Sequence, residues 1–139
     1  MGALLAGKYG NVWFPMVKRW LLGAWFLLTL GLVLGMIWAY EVLGWGGFWA
    51  WDPVENAGLL PWLTATALIH SAKVQERRGH YVRWNYTLVI LSFFLTIVGT
   101  FMTRSGIVQS VHAFGKDVHL AWVFGGFMAV ILAFSFGLM

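Results

Sequence analysis

The stretch Trp20-Leu21-Leu22-Gly23-Ala24-Trp25-Phe26-Leu27-Leu28-Thr29-Leu30-Gly31-Leu32-Val33-Leu34-Gly35-Met36-Ile37-Trp38-Ala39-Tyr40 contains no charged side chain. Its length decides the fold class, because about 20 consecutive apolar residues are what an α-helix needs to cross the hydrocarbon core of a bilayer. Two more uncharged runs follow, from Trp84 to Thr103 and from Val118 to Met139. A soluble core helix could account for one such run but not for three. Composition agrees: 60% of the 139 residues are hydrophobic, 10% are charged and the mean hydropathy is +0.77, whereas soluble domains carry about 25% charged residues. The expected class is an all-α integral membrane protein, about four transmembrane helices forming part of a larger helical bundle.

Charge placement orients the spans. Lys8, Lys18 and Arg19 precede the first; Lys73, Arg77, Arg78 and Arg83 lie between the second and third; Arg104 and Lys116 are the basic residues of the next loop. Lys and Arg collect on the cytoplasmic side. The N-terminus and the segment 73–83 are therefore expected inside, with spans near 20–40, 57–73, 84–102 and 118–138. Loops 41–56 and 103–117 are expected outside, and they hold Glu41, Asp52, Glu55 and Asp117. On this reading the net charge of +4 is mostly an orientation signal, and it points to no nucleic-acid partner. Residues 1–139 read as one transmembrane block without internal repeats. Met1–Ala6 is too short for a signal peptide's apolar region, and Met139 falls within an apolar run, so the chain is expected to be a piece of a longer protein.

Zero cysteines exclude a disulfide, a thiol nucleophile or a Cys-ligated metal within this chain. The second helix has a legible start. In Asp52-Pro53-Val54-Glu55, Asp52 suits the N-cap, Pro53 the first helical position and Glu55 the third, the pattern of a capping box. Pro61 should then kink the helix or restart it, giving a short interfacial helix to Leu60 and a crossing segment beyond. Gly115 and Asp117 can similarly end one short helix and cap the fourth span.

The first outer loop, Gly44-Trp45-Gly46-Gly47-Phe48-Trp49-Ala50-Trp51-Asp52, places four large aromatic rings within seven residues. Ring faces suit a flat hydrophobic ligand, and indole N–H groups can donate to its polar margin; a porphyrin has that shape. An aromatic belt at the membrane interface explains the same residues, and both readings stand at this stage. Trp49 and Trp51 are the better candidates for ligand contact, Trp38 and Trp62 for interface anchors. The second outer loop adds His112, whose neutral imidazole can ligate heme iron, and Arg104, whose guanidinium can pair with a propionate. A lone loop histidine can equally be solvated. His70 follows Pro53 by seventeen residues, about 25 Å along a helix. That is the inner half of the bilayer, where an ionisable side chain is a functional candidate unless it snorkels to the interface. His80 in the basic loop is expected to be inert, and His119 is a weaker candidate ligand.

At this point the residues resemble a known family. The loop looks like the tryptophan-rich WWD domain of heme-handling proteins. Further stretches narrow the likeness: Trp51-Asp52-Pro53-Val54-Glu55-Asn56-Ala57, Pro61-Trp62-Leu63, Ala67-Leu68-Ile69-His70-Ser71, Gly99-Thr100-Phe101, Thr103-Arg104-Ser105-Gly106 and Ser110-Val111-His112-Ala113-Phe114. Together they are similar to the CcmF family, the large subunits of bacterial cytochrome c heme lyases, and to its nitrite-reductase paralogues. The likeness covers nearly all of residues 18–139.

The resemblance implies heme handling and ligation in cytochrome c maturation, in a multi-pass protein of the bacterial inner membrane or an organellar inner membrane. The implied partners are a heme chaperone, apocytochrome c and other heme lyase subunits. The implied cofactor is heme, one molecule in transit on the periplasmic loop and a resident heme b in the membrane. Matched residue by residue, the loop site takes Trp45, Phe48, Trp49, Trp51, Asp52, Glu55 and Arg104. His112 and His70 are the implied iron ligands of the transferred and resident heme. No catalytic residue is implied, since the cysteines of the apocytochrome and the heme vinyls react with each other once held together. The chain is thus expected to be a component of a heme lyase; a heme exporter built on the same loop, or a structural membrane subunit, is the alternative. Two departures stand out. The usual tryptophan doublet is Phe48-Trp49, which keeps a ring face but loses a donor. The family's histidine upstream of the first span has no counterpart here, and the partner expected for His70 lies beyond residue 139.

Overall fold

A computed structural model of the chain describes residues 2–6, 14–111 and 118–139. The described residues are helical apart from their connections. A four-residue helix α1 (Gly2–Leu5) is followed by α2 (Phe14–Trp38), which runs on through a π-helical turn, Ala39–Leu43. Then come α3 (Pro53–Arg78), α4 (Val82–Arg104) and α5 (Val118–Gly137). Three helical segments are long and apolar enough to cross a membrane: Phe14–Leu43, Val82–Arg104 and Val118–Gly137. This is the all-helical membrane architecture that the uncharged runs dictate.

α3 is the polar helix of the set, and it sits between α2 and α4, with α5 packed on α4. Its buried residues, Ala57, Pro61, Ala65, Leu68, Ala72 and Gln75, recur at three- and four-residue spacing, which places them on one stripe. Small residues along such a stripe let backbones approach closely. At Gly58 a Cβ would lie 3.2 Å from Leu32 Cδ2, so α2 comes close there. Gly99 of α4 lies against Ala57, where a Cβ would sit 3.7 Å from the Ala57 carbonyl oxygen.

That last contact bears on Pro61. The sequence alone suggests a break at this proline, but α3 is continuous through it. Proline deprives the Ala57 carbonyl of its usual helical donor. Pro61 is itself buried on the stripe that packs against the neighbouring helices.

The seams are tied by polar side chains. Trp25 Nε1 donates to Thr66 Oγ1 at 2.8 Å, and Trp62 Nε1 donates to Thr29 Oγ1 at 2.8 Å. The two indoles stack, with centroids 5.9 Å apart and planes 24° from parallel. Each helix thus contributes a Trp and a Thr four residues later, and the pairs clasp reciprocally. Trp62 is therefore part of the α2–α3 seam and not an interface anchor. Between α3 and α4, Ser92 Oγ donates to Thr64 Oγ1 at 2.9 Å, and buried Asn85 Nδ2 donates to Gln75 Oε1 at 2.6 Å. Lys18 pairs with Glu76 at 2.8 Å, joining the start of α2 to the end of α3. The helices are antiparallel neighbours, so Lys18, Arg19, Lys73, Arg77, Arg78 and Arg83 share one end. Loop 44–52 and residues 105–111 share the other.

Candidate functional site

At that second end the chain leaves the π-helical turn through Gly44 (φ 64°) and turns again at Gly46 (φ 71°). Phe48 stacks on Tyr40, centroids 4.5 Å apart, pinning the loop to the helix it has just left. Trp49 and Trp51 then meet edge to face, 6.5 Å apart at 83°.

Trp51 carries the informative strain. Its φ is 59°, a left-handed conformation that costs a bulky L-residue roughly 1–2 kcal/mol. Trp51 is 71% exposed, so little burial repays that cost. The backbone on either side is held by one carboxylate: Glu55 Oε2 accepts from Ala50 N at 3.2 Å and from Asp52 N at 3.3 Å. The Trp51 carbonyl accepts from Asn56 Nδ2 at 3.1 Å. The expected capping box is present in full, and it does more than start a helix. It fixes the residues flanking Trp51 so that the indole stands out from the loop. Strain held in place this firmly points to function.

Asp52 has a second partner. Its Oδ2 accepts from Val54 N at 2.9 Å and from Ser110 Oγ at 2.7 Å. The second outer loop is thereby tied to the first. It leaves α4 at buried Ser105, whose Oγ accepts from Ile107 N at 3.3 Å, and turns at Gly106 (φ 70°).

Beside the aromatic loop, α2 and α3 leave an open, largely apolar groove of about 320 Å³, lined by Thr29, Leu32, Val33, Met36, Leu59 and Trp62 together with Trp49 and Trp51 of the loop. A smaller one of about 160 Å³ adjoins it, where Gly31, Gly35 and Gly58 thin both helices beside Glu55. Trp49 borders both. Its Nε1 is buried and finds no acceptor among the described residues. A buried donor without a partner costs roughly 1–3 kcal/mol, so an acceptor arriving with a ligand would relieve it. An apolar lining with one unsatisfied indole donor is the chemistry that a flat apolar molecule with acceptors at its margin needs.

The remaining candidates are spread out. Trp45 is half-buried in the same loop, whereas Arg104 is exposed at the end of α4 and no hydrogen bond joins it to the aromatic loop among the described residues. His112 lies outside the described residues, as do Lys116, Gly115 and Asp117. His70 is exposed on α3, far from the loop. Its Nδ1 is 2.8 Å from the Thr66 carbonyl oxygen. A carbonyl can only accept, so Nδ1 is the donor in this bond, and Nε2 is the ring nitrogen left for another partner. Among the described residues no three His, Cys, Asp or Glu side chains gather as a metal site, so a metal on His70 would need a ligand from elsewhere.

Reading the residues did not single out Ser110, Thr29 or Thr66. Recurrence of Trp-x-x-x-Thr at 25–29 and 62–66 is a visible signal for the clasp. Ser110 has no local signal, since its partner is 58 residues away.

Known proteins complete the picture. The sequence model of a family described as cytochrome C assembly protein matches residues 7–109. The cytochrome c-type biogenesis protein CcmF of Haemophilus influenzae is 49% identical over 138 residues, which cover 94% of this chain and 21% of that protein. The probable cytochrome c-type biogenesis protein NrfE of Escherichia coli is 46% identical, with 96% of this chain and 24% of that protein covered. A solved structure of cytochrome c heme lyase CcmF superposes with a TM-score of 0.78 at 46% identity, covering 98% of this chain and 21% of that one. The chain therefore spans about a fifth of the length of these relatives. With a family match over residues 7–109 and the same helical arrangement in a solved relative, the chain belongs to the cytochrome c assembly protein family.

Proposed function

We propose that this chain is the heme-holding outer face of a cytochrome c heme lyase. It presents heme on loop 41–56 for covalent attachment to an apocytochrome c delivered beside it. The observation that carries this reading is the open apolar groove that Trp49 and Trp51 line, with a buried indole donor that has no acceptor among the described residues. An aromatic belt would need neither the strained backbone at Trp51 nor the brace around it.

Each residue has a definite task in this proposal. Trp49 and Trp51 give ring faces to the macrocycle, with Phe48 and Trp45 beside them. Trp49 Nε1 donates to an acceptor at its margin. Asp52 and Glu55 hold the loop in shape, and Arg104 pairs with a propionate. His112 supplies an axial ligand to the heme in transit. His70 would hold a resident heme b in the membrane, with a second ligand from the rest of the protein. Heme itself supplies the vinyl carbons to which cysteine thiols of the apocytochrome add.

The proposed setting is the bacterial inner membrane, or an organellar inner membrane, with a heme chaperone and other heme lyase subunits as partners. The proposed spans are 20–40, 57–73, 84–102 and 118–138, with α3 crossing among its neighbours despite its polarity. The test uses the complete protein carrying Trp49→Ala and Trp51→Ala together, incubated with heme-loaded chaperone. Membrane insertion should persist and heme retained in the outer site should fall. Aromatic contacts contribute about 0.5–1.5 kcal/mol each beyond burial, about 1–3 kcal/mol for the pair, so the double variant should lose roughly five- to 150-fold in retention. Unchanged retention returns the loop to the interface-belt reading.

A further inference from the structure

We infer that a groove between α2 and α4, opening at the basic end of the helices, holds an anionic phospholipid, with Arg19 on its phosphate and an acyl chain lying along the helices. The site is at the opposite end from the tryptophan loop and does not depend on heme.

The groove is open and apolar, with a volume of about 420 Å³. Its floor is the α3 stripe at Pro61, Ala65 and Leu68. One wall runs along α2 from Met16 and Trp20 to Leu28, the other along α4 from Val89 to Thr96. The polar groups of these walls are engaged elsewhere. Ser92 Oγ donates to Thr64 Oγ1, the Thr96 hydroxyl donates to the Phe93 carbonyl, and Trp25 Nε1 donates to Thr66 Oγ1. Hydrocarbon and ring surface therefore make up nearly all of the lining. Length selects an acyl chain for it. From Met16 to Leu28 is twelve residues, about 18 Å of helix, close to the roughly 15 Å of one hydrocarbon leaflet. A spanning helix laid alongside would run on for about twice that distance.

Charge selects the head group. Among the described residues, the end at which the groove opens carries Lys18, Arg19, Lys73, Arg77, Arg78 and Arg83 against one acid, Glu76, and Lys18 already pairs with that acid at 2.8 Å. Arg19 is exposed and makes no hydrogen bond or ion pair among the described residues. It lines a hollow together with Met16 and Trp20, the two residues at the mouth of the groove. A guanidinium placed there can take two oxygens of one phosphate. Trp20 is 78% exposed, so its ring is open to lipid, and an indole at the membrane interface lies with its apolar body at head-group level. Basic pockets between membrane helices bind anionic head groups in this way. Orientation in the membrane asks only for basic residues on one side. It does not ask that one of them stand beside a groove one leaflet deep.

The experiment places a fluorophore in the groove of the full-length protein. Ala24 lines the groove one turn beyond Trp20, and Ala24→Cys, on a background without other cysteines, is labelled with bimane. The protein is reconstituted into vesicles of phosphatidylglycerol and phosphatidylcholine in equal parts, with bromine on the acyl chains of one lipid or of the other. Surface charge is then the same in both vesicles, and quenching reports which lipid occupies the groove. Brominated phosphatidylglycerol should quench as the preferred occupant by about fivefold, the contribution of one basic residue beside an anionic lipid. Arg19→Gln should bring that preference close to one, and Arg19→Lys, which keeps the charge, should retain most of it. Arg78→Gln, at the same end but outside the groove's lining, should leave it unchanged. Absence of quenching by either lipid would overturn the proposal by showing that a helix of the complete protein fills the groove. Equal quenching by both lipids would overturn it by showing an unselective surface. An equal loss of preference in Arg19→Gln and Arg78→Gln would overturn it in favour of a diffuse field from the basic end.

Discussion

Replacing Glu55 by alanine should disarm the tryptophan loop without removing a single aromatic ring. In the folded protein Glu55 Oε2 accepts from Ala50 N at 3.2 Å and from Asp52 N at 3.3 Å. These bonds are long and at least partly exposed, so each is assigned about 0.5–1 kcal/mol, below the about 1.5–3 kcal/mol of buried hydrogen bonds to a charged group. Their sum of about 1–2 kcal/mol matches the cost of about 1–2 kcal/mol for the left-handed backbone of Trp51. Without Glu55, the Asn56 bond to the Trp51 carbonyl and the Asp52 contacts remain, but the two bonds that offset the strain are gone. The population with the indole projecting then shifts by about 5–30-fold. A ligand that needs this conformer binds more weakly in proportion to the competent fraction. A fluorescence titration of the full-length protein with zinc protoporphyrin should therefore show an apparent Kd raised by up to about 30-fold in Glu55→Ala. Glu55→Gln keeps an oxygen acceptor in the capping box and should give a smaller rise. Wild-type affinity in a correctly inserted Glu55→Ala protein would refute the claim that the brace holds the site in shape.

Other consequences are local. Trp62→Phe removes the donor to Thr29 but keeps the stacked ring, and should lower resistance to SDS unfolding by about 0.5–1.5 kcal/mol. The same change in a Thr29→Val background should cost markedly less. Asn85→Ala leaves buried Gln75 without its 2.6 Å donor and should destabilise the α3–α4 hairpin by about 1–3 kcal/mol in the same assay. Cysteines introduced at Gly47 and at His80 should label from opposite sides of the membrane; labelling of both from one side would remove the proposed orientation.

How much of this was legible in the sequence depends on the range of the interaction. The three apolar spans are visible because absence of charge over about 20 residues is itself the physical requirement. The α3 start is visible because a capping box is complete within four residues, and it forms as Asp52-Pro53-Val54-Glu55 suggests. Pro61 misleads because the local rule predicts a break, whereas α3 runs on through it with the proline buried on the packed stripe. Trp62 misleads for a related reason: composition places tryptophans at interfaces, whereas this one finds an acceptor on the neighbouring helix. The aromatic loop announces a flat ligand by residue type, but the strain at Trp51 and its brace require coordinates. Ser110 is invisible from sequence physics, being an ordinary loop serine until the fold brings Asp52 to it.

The central claim is that the outer loops and the helical histidine serve two different hemes. Reduced-minus-oxidised spectra of the full-length protein carrying His112→Ala or His70→Ala test it most directly. His70 lies about 25 Å down α3 from its start, beyond the reach of a porphyrin held on the aromatic loop. His112→Ala should abolish cytochrome c maturation while leaving the resident b-type spectrum intact. His70→Ala should erase or shift that resident spectrum while the outer platform still accepts heme. Loss of the same single heme signal in both variants would contradict the account.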